Sequence, residues 1–190
     1  MELQKINIKI YGDGSVPELV TFIPVFHNWI QNKSCEELLI DVADYSHVPA
    51  GPGVVLIADE CNYSVEYGSE EKFGLLYNTK EVRQGDNESR IRHAVHQALK
   101  AAVRMEGDER LRDLKFPGQL FRLIVNSRDL SNNDSTFQSM QNDLNAAFDK
   151  IFGDSKYSTK RVSNDGRERL TVEVMHASRQ DLHSLLGRIR

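Results

Sequence analysis

VVLIADECNYSVEYGSEEKFGLLYNTK, residues 54–80, decides how this chain is read. Two runs rich in β-branched and aromatic residues, 54–68 and 73–80, flank a polar turn. Strand side chains alternate between faces with a period of two, so the shared apolar face sets the register. A five-residue turn, GSEEK (68–72), places Tyr67 opposite Phe73, Val65 opposite Leu75 and Tyr63 opposite Tyr77. All six then point to one side. Continued backwards as a single strand, that side takes Cys61, Asp59, Ile57 and Val55. The other side, with Glu60, Asn62, Ser64 and Glu66, faces water. The spacing predicts strands 54–67 and 72–78 paired antiparallel, with Asp59 turned to the core.

Upstream, KINIKIYG (5–12) alternates Ile6, Ile8 and Ile10 with Asn7 and Lys9, the pattern of a half-buried strand. After the turn GDGS, Ser15-Val-Pro-Glu18 reads as a capped helix start. Its apolar stripe is Leu19, Phe22, Ile23, Phe26 and Ile30, interrupted by Pro24. LLIDVADY (38–45) is a further strand. Residues 86–107 form a helix with Ile91, Ala94, Val95, Ala98, Ala102 and Met105 inward.

The second half repeats this order. LFRLIVN (120–126) is a strand, and Asp134 opens a helix closed by Gly153. YSTKRV and RLTVEVMH make a hairpin around Asn164-Asp165-Gly166, and Ser178 opens a last helix with Leu182, Leu185, Leu186 and Ile189 inward. Each half runs strand–helix–strand–strand–helix, with one extra strand in the first. Hairpins mixed with helices argue an α+β fold: one mostly antiparallel, twisted sheet with helices on one face. Residues 1–190 form a single domain with candidate halves 1–107 and 119–190, hinged at 108–119; 127–134 is a second polar connection.

The blocks FIPVFHNWIQ (22–31), LLIDVADYSHVPAGPGVVLIADE (38–60) and FGLLYNTK resemble a family of uncharacterised bacterial proteins. The resemblance covers roughly residues 22–80 and implies no activity. The loop His47-Val-Pro-Ala-Gly-Pro-Gly53 has no lysine and no following helix, so it is no phosphate-binding loop. Its prolines and glycines describe a stiff turn, which leaves His47 unexplained.

Composition narrows the classes. Hydrophobic residues make up 39% and net charge is −4. No run is long and apolar enough for a membrane span, and the start lacks the pattern of a secretory signal. Cys35 and Cys61 form neither a disulfide framework nor a metal finger, which argues for a reducing cytoplasm. Residues 154–190 carry eight Lys/Arg against five Asp/Glu, while the rest is acidic. An acidic chain without a recognition motif argues against nucleic acid.

Acid–base chemistry needs a histidine or carboxylate beside a partner. The candidates are His27, Asp41, Asp44, Tyr45, His47, Asp59, Tyr63 and Tyr77. Asp41 and Asp44 fall on opposite faces of their strand, so they do not form a facing pair. His93 and His96 point away from the helix's apolar stripe, and His176 reads as a core-edge histidine. No G-x-S-x-G is present, and neither cysteine has a histidine beside it. No metal or cofactor is expected. The primary expectation is a binding or assembly module that acts through a protein partner or itself. Self-association would use the basic hairpin 156–174, with Tyr157, Lys160 and Arg161, or an apolar patch at Trp29. The alternative is a small enzyme with His27, His47, Asp59 and Tyr63 around one pocket.

Overall fold

The computed structural model describes residues 1–127 and 129–189; Arg128, in the 127–134 connection, and Arg190 lie outside the described residues. In chain order the elements are β1 (Ile6–Tyr11), β2 (Asp13–Gly14), α1 (Phe22–Gln31), β3 (Leu39–Tyr45), β4 (Gly53–Ala58), β5 (Cys61–Glu66) and β6 (Gly74–Thr79). There follow α2 (Asn87–Glu106), β7 (Leu114–Lys115), β8 (Leu120–Val125), α3 (Asp134–Phe152), β9 (Tyr157–Arg161), β10 (Thr171–His176) and α4 (Leu182–Arg188). Eight strands form one antiparallel sheet in the order β3-β4-β5-β6-β1-β8-β10-β9, and β2 pairs with β7 in a small separate ladder. The helices pack on one face, giving the α+β architecture. No helix among the described residues is long and apolar enough to cross a membrane.

The β5–β6 register is the one the aromatic pattern predicts. Tyr63 pairs with Tyr77 and Val65 with Leu75, and the two tyrosine rings lie 5.2 Å apart. The preceding segment differs. Residues 54–67 are two strands joined by a two-residue turn at Asp59–Glu60, with Leu56 opposite Tyr63 and Val54 opposite Val65. A turn reverses the parity of the alternation, so Val54, Leu56 and Ala58 face the helices in place of Val55, Ile57 and Asp59. Asp59 is an exposed turn residue. Gly53 closes the β3–β4 loop at φ +63°, and a Cβ there would collide with the carbonyl oxygen of Val65. The loop's last glycine is thus required by the backbone.

The first helix also begins later than expected. A 3₁₀ turn (Leu19–Thr21) leads into α1 at Phe22, and Ser15 caps nothing. Pro24 therefore sits in the first turn, where its missing N–H has no partner to lose. The buried stripe is Phe22, Val25, Phe26 and Trp29. In α2 the expected inward residues are all buried, and Asp86 caps the helix through Ser89 N–H. Asn133 caps α3, one residue before the expected Asp134, and Gly153 ends it in the left-handed conformation. Asp181, not Ser178, caps α4.

Halves 1–107 and 119–190 meet inside the sheet, β1 antiparallel to β8. On either side of this seam the order is repeated: β6 then β5 beside β1, β10 then β9 beside β8. Because the long strand is a hairpin, the first half has two extra strands, β3 and β4. The supposed hinge is packed: Leu111, Leu114 and Phe116 are buried, and Glu106 accepts from Phe116 N–H at 2.6 Å.

Candidate binding site on the open face of the sheet

The face of the sheet away from the helices carries the densest group of buried polar side chains. Alternation in β1 sends Ile6, Ile8 and Ile10 to the helices and Asn7, Lys9 and Tyr11 to this open face. Strand β1 lies in the middle, bonded to β6 on one side and β8 on the other. The registers set Ala43, Val55, Ser64, Leu76, Lys9, Arg122, Glu173 and Lys160 in one row across all eight strands. The next row contains Ile57, then three asparagines on adjacent strands (Asn62, Asn78, Asn7), then Ile124. Although no helix covers this face, Lys9 is 1% exposed and Asn7 is 2% exposed.

Loops account for the burial. Edges of a flat eight-stranded sheet would stand about 34 Å apart at the usual strand spacing. Yet Ala50 of the β3–β4 loop and Arg167 and Arg169 of the β9–β10 loop line the same cleft of about 530 Å³, with Lys9, Glu70 and Arg122. Loops from both sides of the sheet therefore reach in over its open face. The Pro/Gly loop borders this cleft through Ala50.

The cleft floor is an ion network. Lys9 Nζ lies 2.7 Å from Glu70 and 3.2 Å from Glu66. Arg122 donates to Glu173 at 2.7 Å and lies 3.0 Å from Glu70. The Tyr11 hydroxyl donates to Glu70 Oε1 at 3.0 Å, and both cations lie against the Tyr11 ring. Burial alone would raise the Glu70 carboxyl, but hydrogen bonding and charge from Lys9, with Arg122, bring it below its ordinary value. Burial pushes the Tyr11 hydroxyl up, so it stays a donor. Three polar atoms here are buried without a hydrogen-bond partner among the described residues: Asn7 Oδ1, Asn62 Oδ1 and Arg122 Nε. Each such group costs about 1–3 kcal/mol if left unsatisfied. The arrangement offers hydrogen-bond donors, acceptors and both charge signs in a preformed hollow.

The residues expected from the sequence lie elsewhere. His27, His47, Asp41, Asp44, Tyr45 and Asp59 are exposed. Tyr63 is buried and donates to Glu37 at 3.1 Å. No hydrogen bond among the described residues joins any two of His27, His47, Asp59 and Tyr63, so the proposed acid–base set does not assemble. Asp41 accepts from Val42 N–H, and Asp59 accepts from Glu60 N–H; both carboxylates serve the backbone beside them. Trp29 is buried at 2% exposure, edge-on to Phe26 and under the Arg104 guanidinium, and presents no surface to a partner. Tyr157 donates to Asp149 and to the Asn145 carbonyl. Arg161 is held by Asp134 at 2.6 Å and by Asn132. Of the three basic-hairpin candidates only Lys160 is exposed.

His93 is not on a solvated face. It is half-buried, edge-on to Tyr77, and lines a second hollow of about 360 Å³ with Glu60, Thr79 and Arg83. Burial, then the charge of Arg83, lowers its pKa to about 4. His176 is 3% exposed, accepts from Ser178 N–H and donates to Asp154 at 3.0 Å. Both cysteines are free, and Cys61 is buried; burial lifts its thiol to about 12. No group of three metal-ligating side chains occurs among the described residues.

No protein-family model, curated protein or solved structure matches this chain. Sequence reasoning missed Lys9, Tyr11, Glu70 and Arg122. The available signal was alternation: KINIKIY puts Lys9 opposite its three isoleucines, and LFRLIVN puts Arg122 opposite Phe121, Leu123 and Val125. Nothing in the sequence said that these two strands are neighbours.

Proposed function

We propose that this protein is a binding module that receives an extended, acidic segment of a protein partner in the cleft on the open face of its sheet. The observation that carries this reading is the centre of the open face: no helix covers it, yet Lys9 is buried there, and Arg122 beside it leaves its Nε unpaired among the described residues. A peptide backbone supplies the carbonyl acceptor that an arginine Nε–H lacks. Arg169 lines the cleft and has no acceptor among the described residues, which favours acidic side chains in the bound segment. Half-buried Ile124, lining the cleft beside the charges, supplies the mixed character of a partner surface. Two free thiols suit a reducing compartment such as the cytoplasm.

The test is a titration of ¹⁵N-labelled protein with a short synthetic peptide alternating Glu and Val. Saturable shifts should concentrate in β1, β8 and the 67–72 and 162–170 loops. Shifts confined to the helical face, or none, overturn the reading.

A further inference from the structure

The donors on the cleft floor come from the scaffold, whereas the carboxylate they hold comes from a loop. Lys9 and Tyr11 belong to β1 and Arg122 to β8, two neighbouring interior strands. Glu70 belongs to the β5–β6 loop, which turns back over the face. The next residue, Glu71, takes a left-handed φ of +55° that non-glycine residues rarely adopt. Both Glu70 oxygens are engaged: Oε1 accepts from Lys9 Nζ at 2.7 Å and Tyr11 hydroxyl at 3.0 Å, and Oε2 lies 3.0 Å from Arg122. Neutralisation does not require it. Lys9 already has Glu66, and Arg122 already has Glu173. Two cations then face two carboxylates, and Glu70 adds a third.

We propose that Lys9, Tyr11 and Arg122 form a carboxylate-binding subsite, and that Glu70 is its built-in occupant, displaced when an acidic side chain of the partner segment docks. This deepens the partner-binding reading and rests on it for the identity of the displacing group. The subsite itself is testable without a partner. A tethered carboxylate competes at a high effective concentration, so a free one enters only when the tether's own group is removed.

The probe is sodium propionate, compared with sodium chloride at equal ionic strength. In Glu70→Ala, propionate should raise Tm saturably where chloride does not. Wild type should show no such difference, and adding Arg122→Gln to Glu70→Ala should abolish it. If Glu70→Ala does not fold, Glu70→Gln keeps the loop's shape, and propionate should then shift the amide resonances of residues 67–72. A folded Glu70→Ala indifferent to propionate overturns the subsite, as does an equal response in the double variant or fixed 67–72 resonances in Glu70→Gln. A propionate response without binding of the Glu/Val peptide leaves the subsite standing and removes the partner reading alone.

Discussion

His93 shows how one side chain's surroundings become a property of the protein. Its pKa falls from 6.5 to about 4 because the half-buried ring is poorly solvated when charged and faces Arg83. The unfolded chain therefore binds a proton through this window that the folded chain refuses. His93 contributes stability above pH 6.5 that is lost as pH falls towards 4. Replacing it with Gln should flatten the decline of urea-unfolding free energy between these pH values relative to wild type; an unchanged decline would refute the assignment. Burial likewise reverses two expectations, since Trp29, expected in a surface patch, is in the core and Asp59, expected inward, is exposed. Trp29→Ala should cost about 3–5 kcal/mol, as a large core truncation does. Asp59→Ala, at an exposed turn, should stay within about 0.5 kcal/mol of wild type. Denaturant midpoints for the two variants check both. Nothing in residues 54–60 by themselves distinguishes a strand carboxylate from a turn carboxylate. The difference is whether the chain reverses at Asp59, and the partner strand decides that.

At the scale of elements, the two sheet edges are protected differently. Strand β9 is polar, and its Tyr157 and Arg161 are tied to α3 and to the loop before it. Strand β3 is the more apolar edge, with Ile40 57% exposed and Leu38, just before the strand, 67% exposed. A register shift between Leu39 and Asp41 disturbs its ladder, and Asp41 Oδ1 takes the Val42 N–H at 2.8 Å. Both devices discourage a further strand from adding there. Asp41→Ala should free that N–H beside an apolar edge and produce concentration-dependent association in sedimentation velocity. A variant that sediments as wild type does would show that the bulge alone suffices. Asp41 was a candidate for chemistry because a carboxylate in a strand invites an explanation. Its neighbour's amide supplies one, and only the position of β3 at the edge made that amide available.

The whole molecule is joined along β1 and β8. Ile8 pairs with Leu123 and Ile10 with Phe121 at the centre of the core, and Phe121 in turn packs on Phe148 and Phe152 of α3. Each half alone would expose an apolar central strand edge. Fragments 1–118 and 119–190 should therefore lack cooperative unfolding separately and regain it on mixing, as followed by circular dichroism in urea. Cooperative unfolding of either fragment alone would show that the seam is not needed.

Local pattern was enough for α2, for Gly153 as a helix end, and for Tyr63 opposite Tyr77, because each depends on neighbours in sequence and on a single periodicity. The α+β class and the likeness of the two halves were legible for the same reason. The antiparallel seam between β1 and β8, the reversal at Asp59 and the loops that reach over the open face were not. They depend on which distant strands share hydrogen bonds. That choice turned Lys9 and Arg122 from two surface-facing cations of ordinary strands into the floor of a buried cleft, and it left His27, His47 and Asp59 in water.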